Sequence, residues 1–165
     1  MTRHGWLVKI ACRYLLRDYP VVIAEMAAGR EQPDAIGFDH GGRSMVIECK
    51  ASRRDFLADR KKSFRRGPYG MGQRRAYLAP KGLIKSGEVP AGWTLLEVDD
   101  KGFIRGTSAV ALLPDVEADA RGEIGFLVSL MRRLPFEKRP GVSIRAYRYE
   151  TANRAVALLP KDTEP

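Results

Sequence analysis

Apolar positions near the start of the chain recur at helical spacing. Leu7, Ile10, Ala11, Tyr14 and Leu15 fall on one face, which predicts an amphipathic helix over residues 4–18. Pro20 ends it. Residues 21–26 (Val-Val-Ile-Ala-Glu-Met) are short and β-branched and read as a strand with Glu25 near its end. Turn formers from Gly29 to Pro33 follow, then two strand candidates, 34–39 and 43–50, joined through His40-Gly41-Gly42.

Side chains alternate faces along a strand, so the length of that connection decides which residues meet. A two-residue turn at Gly41-Gly42 pairs Asp34 with Cys49 and puts Asp34 and Glu48 on opposite faces. A three-residue loop, His40 to Gly42, sets Asp34 opposite Glu48 with Lys50 on the same face. Such loops favour a glycine in the left-handed region, which Gly42 supplies. The odd loop is the expectation if the carboxylates form one site. It places Ile36, Phe38 and Val46 on the site face and Ala35, Met45, Ile47 and Cys49 on the other. Both faces are then apolar and covered, as in an α/β core.

Ser52 and Asp55 form a capping-box pattern that opens a helix to about residue 62. Residues 65–75 are glycine-rich and basic and read as a mobile loop. Strands are expected at 76–79, 94–98 and 103–105, a short helical turn at 83–85, and a helix near 120–134 from Ile124, Leu127, Val128 and Met131. Residues 142–149 and 155–159 suggest a terminal hairpin or an appended tail. The expected architecture is α/β: a mixed central sheet flanked by helices. One domain spans 1–165, with a core at about 4–105 and a helix and C-terminal extension at about 115–165.

Composition narrows the function classes. Charged residues make up 30% and hydrophobic ones 44%, which fits a folded protein and excludes a disordered one. The net charge of +9 favours a polyanionic partner. Cys12 and Cys49 form no paired motif, and His4 and His40 are the only histidines, so a zinc cluster or disulfide framework is not expected. No run approaches membrane-spanning length and no leader is read, so a cytoplasmic protein without a membrane partner is expected.

Three carboxylates and a lysine lie on segments that read as buried. Burying carboxylates is costly unless a cation compensates them. Mg²⁺ (or Mn²⁺) fits, because a hard cation is satisfied by one or two carboxylates plus water and phosphate. Asp34 and Glu48 are the expected direct ligands, with the backbone carbonyl of Cys49 as a third. Glu25 is expected to hold a metal-bound water or a second ion. Lys50 would orient or help deprotonate the attacking water and offset transition-state charge. A lone Glu-x-Lys is usually a solvated charge pair; its order here, after Pro-Asp and ahead of a capped helix, gives it weight.

Glu25, Pro33-Asp34 and Glu48-Cys49-Lys50, after an N-terminal helix, resemble the PD-(D/E)XK nuclease superfamily of restriction endonucleases, junction resolvases and repair nucleases. The run from Arg54 to Lys61, with Tyr77-Leu78-Ala79-Pro80 and Gly92-Trp93-Thr94-Leu95-Leu96, is similar to MmcB-like DNA-repair endonucleases. The superfamily pattern covers about residues 6 to 80, and the closer likeness reaches about 98. The resemblance implies a restriction-endonuclease-like core and Mg²⁺-dependent DNA cleavage in repair or phage-related processing. It casts Glu25, Asp34, Glu48 and Lys50 as the catalytic set. Many members dimerise to cut both strands, which makes a homodimer an open expectation.

Between Arg53 and Arg75 nine Lys or Arg stand against two Asp, so this stretch holds +7 of the net +9. Arg53, Arg54, Lys61, Lys62, Arg65, Arg66, Arg74 and Arg75 are the expected nucleic-acid contacts. Tyr69 would stack on a base, and Gln73 matches a polar residue of some members of the superfamily. DNA is the expected partner, single- or double-stranded. The alternative is a non-catalytic DNA- or RNA-binding protein that keeps the basic face.

Overall fold

A computed structural model describes residues 1–27, 31–62, 70–105 and 115–133, and the backbone of 147–151 and 154–157. Thr2 caps the first helix, α1 (Arg3–Leu15), by accepting from Gly5 N. Strands β1 (Val21–Ala24), β2 (Ala35–Phe38) and β3 (Ser44–Cys49) follow, then α2 (Arg53–Asp59), β4 (Arg74–Pro80), a 3-10 turn at Ser86–Glu88, β5 (Trp93–Val98), β6 (Ile104–Arg105) and α3 (Ala120–Met131). The chain divides into two compact units, Met1–Val128 and Ser129–Pro165, where the sequence suggests one domain with an extension. In the second unit, β7 (Tyr147–Thr151) pairs antiparallel with β8 (Arg154–Ala157). Among the described residues no helix is long and apolar enough to cross a membrane.

The first unit is a mixed six-stranded sheet in chain order, β1 to β6. β1, β2 and β3 run antiparallel; β4 and β5 lie parallel to β3, and β6 closes the far edge antiparallel. A parallel neighbour requires a crossover, and α2 sits in the one between β3 and β4.

The odd hairpin loop is present. Asp39 Oδ1 accepts from both Gly41 N and Arg43 N at 2.8 Å, and Gly42 takes a left-handed φ of 77°. The pairs Ala35↔Ile47 and Ile36↔Val46 follow from it. Extending that register by one residue puts Asp34 opposite Glu48.

Each sheet face is covered differently. Leu7, Ile10, Ala11 and Leu15 of α1 pack on Ala35, Met45, Ile47, Cys49, Ala76, Leu78, Leu96 and Val98, an apolar layer throughout. On the other face Phe56 of α2 packs with Tyr77, Ala79, Ile84 and Trp93. Tyr77 meets the Phe56 ring edge-on at 5.2 Å and stacks on Trp93 at 4.5 Å.

The expected mobile loop is in part a packed segment. Residues 63–69 lie outside the described residues, but Gly70, Met71 and Gly72 are buried. Met71 N donates to Glu31 Oε2 and Gly72 N to Glu123 Oε1, both at 2.7 Å. Gly72 adopts φ 87°, and a Cβ there would lie 2.9 Å from Val46 Cγ2, so only glycine fits. Carboxylates distant in sequence supply the partners that a glycine-rich run lacks locally.

Candidate active site

The end of the β2–β3 ladder is closed by a side chain. Asp34 lies just before β2, and its Oδ2 accepts from Cys49 N at 2.7 Å. Glu48 precedes Cys49 on β3, so its side chain takes the opposite face from the apolar α1 layer. Lys50 is anchored to β4 through its N–H, which donates to Leu78 O at 2.8 Å. Its ammonium returns to Glu48 Oε2 at 3.0 Å. Both side chains are almost fully buried, at 3% and 5% exposed.

Asp34, Glu48, Cys49 and Lys50 border one cavity of about 220 Å³. His4 of α1, Gln32, and Asp55, Ala58, Asp59 and Lys62 from α2 and its C-terminal end complete the lining. α2 comes here because Ser52 caps it, Oγ accepting from Asp55 N at 3.2 Å. Phe56 then turns inward, and Asp59, three residues on, shares that buried face. Asp59 Oδ1 lies 3.4 Å from Lys50 Nζ and 2.9 Å from Lys62 Nζ. Its Oδ2 accepts from the Tyr77 hydroxyl at 3.0 Å.

Crowded carboxylates dominate the electrostatics. Burial, with Glu48 beside it, raises the Asp34 carboxyl to about 6 against the opposing pull of Cys49 N–H, Lys50 and His4. Burial acts to lower the Lys50 ammonium, but Glu48, Asp59 and Asp34 outweigh it and leave Lys50 raised and charged. Burial also pushes the Cys49 thiol up, with Asp34 and Glu48 adding to it, which makes it inert. A cavity that crowds carboxylates together suits a hard cation. Among the described residues no three His, Cys, Asp or Glu side chains form a ready cage. Two carboxylates and a backbone carbonyl, completed by water and phosphate, are the donor set that Mg²⁺ accepts.

The expected residues divide clearly. Asp34, Glu48, Cys49 and Lys50 line one cavity, whereas Glu25 does not line it, although its N–H donates to Asp34 O at 3.1 Å. It follows β1 at a left-handed φ of 51°, with its side chain 60% exposed. It borders a different cavity, of about 550 Å³, with Met1, Gly5, Val8, Lys9 and Cys12. His4 links the two places, its Nε2 3.6 Å from Asp34 Oδ1 and 3.8 Å from Glu25 Oε1.

The basic stretch is also redistributed. Arg75 is buried and donates to the carbonyls of Gly70, Met71, Gly72 and Glu117, so it clasps the segment and does not present a cation to solvent. Arg74 pairs with Asp115 at 2.9 Å, and Gln73 accepts from Ser44 N. Arg53 is engaged by Glu88 in a two-pronged ion pair. Arg54, Lys61 and Lys62 remain exposed, and Arg65, Arg66 and Tyr69 lie outside the described residues. The sequence reading missed His4, Gln32, Asp59 and Tyr77. For Asp59 a signal existed: its spacing from Phe56 places it on the buried side of α2.

No protein-family model matches the chain, and no curated protein does. Among solved structures it is similar to the SPO1766 protein of unknown function from Silicibacter pomeroyi. The TM-score is 0.57 at 23% identity, covering 81% of this chain and 89% of that one. At this identity the likeness shows a shared α/β fold, a mixed sheet with helices, and nothing of activity.

Proposed function

We propose that the chain is a Mg²⁺-dependent DNA endonuclease that hydrolyses phosphodiester bonds in DNA repair or phage-related DNA processing. The supporting observation is the odd hairpin register, which converges Asp34, Glu48 and Lys50 on one cavity. The resemblance of the same residues to the PD-(D/E)XK pattern agrees with it. Asp34, Glu48 and the Cys49 carbonyl would hold the metal, which when bound supplies Lewis-acid stabilisation and an acidified water. Lys50, held charged by its carboxylate neighbours, acts as a cation that offsets charge gathering on the phosphate. His4 keeps Asp34 and Glu25 within reach of each other at the rim. Arg54, Lys61 and Lys62 present exposed charge to a phosphate backbone beside the cavity.

A second reading is a non-catalytic DNA- or RNA-binding protein. One observation favours it: Lys50 already answers Glu48 and Asp59 internally. The two readings separate in one assay, with supercoiled plasmid and labelled single strands treated in Mg²⁺ or Mn²⁺ against EDTA, with Glu48→Ala in parallel. Metal-dependent cutting lost in the variant supports the nuclease. Salt-sensitive binding without cutting, indifferent to metal and to Glu48→Ala, supports the binder.

A further inference from the structure

We infer that Asp59 is a positioning residue for Lys50, held in place by Tyr77; this rests on the nuclease reading. Lys50 extends from a strand end and has two carboxylate partners, Glu48 Oε2 at 3.0 Å and Asp59 Oδ1 at 3.4 Å. Glu48 is also the expected metal ligand, so a cation held there would draw on the charge that now faces Lys50. Asp59 is the second anchor that would then keep the ammonium in the cavity.

Its own placement is rigid. The Tyr77 hydroxyl donates to Asp59 Oδ2 at 3.0 Å, leaving Oδ1 turned to Lys50 and Lys62. Tyr77 pairs with Glu48 in the parallel β3–β4 register, so both side chains leave the sheet on one face. Its ring is fixed between Phe56 and Trp93. The line Trp93–Tyr77–Asp59–Lys50 thus transmits the position of the sheet to the ammonium. Burial makes it effective: Asp59 is 2% exposed, so little solvent competes for Lys50.

The test uses Asp59→Asn and Tyr77→Phe in the full chain, each checked for folding by circular dichroism. Plasmid cleavage in Mg²⁺ should lose roughly 10- to 100-fold in kcat for Asp59→Asn with KM nearly unchanged, the scale of removing a group that orients a catalytic one. Tyr77→Phe, which keeps every charge, should lose less, and Asp59→Glu should recover part of the rate. A folded Asp59→Asn protein with normal kcat overturns the inference.

A second readout needs no activity. Acetic anhydride labelling of Lys50, followed by peptide mass spectrometry against exposed Lys61, should be slow in the natural protein and faster in both variants. If the natural protein cuts nothing, the nuclease reading fails, and labelling alone decides the placement: unchanged Lys50 labelling in both variants overturns it.

Discussion

The two faces of the central sheet use the same strands to different ends. On the α1 face the buried contacts are almost all apolar, from Leu7 and Leu15 to Met45, Ile47 and Leu78, with buried Thr94 in line with Leu96. The opposite face is apolar at Ile36, Phe38 and Val46 and around Phe56, Tyr77 and Trp93, and beside them it buries Glu48, Lys50 and Asp59. Buried charge is a poor source of stability, because desolvation cancels most of the attraction. Both faces therefore hold the fold through their apolar contacts, but the α2 face also carries a charged cluster that adds little to stability. A third group on that face, Ser44, Arg75 and Glu123, is polar yet serves structure, since its bonds end on backbone or on each other. Buried polarity alone does not mark a site; convergence on a cavity does.

Substitutions at six positions test that contrast. The largest effect is expected at Glu48→Ala or Lys50→Ala, with cleavage falling by roughly 10³-fold and the circular dichroism spectrum unchanged. On the other face Ile47→Ala should cost about 3 kcal/mol in urea unfolding while leaving the activity of the folded fraction intact. Arg75→Ala should cost about 2 kcal/mol, because four carbonyls lose their donor. Its DNA affinity should keep the same salt slope, whereas Lys61→Ala should flatten the slope without a stability change. Ser52→Ala, which removes only the α2 cap, should cost about 1 kcal/mol by thermal unfolding.

Much of this was legible in the chain. Alternation left two registers for the loop at His40-Gly41-Gly42, and the one expected if Asp34 and Glu48 share a face is the one present. The α1 stripe and the Ser52 cap are local signals, and local signals survive folding. The burial of residues 70–75 was not legible. Glu31, Glu123 and Ser44 reach that segment from far along the chain, and no periodicity encodes such bonds. The backbone of Glu25 was not legible either: it takes a left-handed φ of 51° after β1, and its N–H donates to Asp34 O at 3.1 Å.

A pH effect follows from the crowded carboxylates. The folded Asp34 carboxyl, raised to about 6, holds its proton more tightly than the unfolded chain does. Its contribution to stability in EDTA should therefore fall as pH rises from about 4 to about 6. Asp34→Asn removes that dependence while keeping an oxygen to accept from Cys49 N.

The most direct measurement takes this one variant and reads two quantities, plasmid cleavage in Mg²⁺ and the melting temperature in EDTA at pH 8. Asp34→Asn is expected to abolish cutting and to melt higher than the natural protein, since a largely buried charge crowded by Glu48 is gone. A folded Asp34→Asn protein that cuts at the natural rate would contradict it.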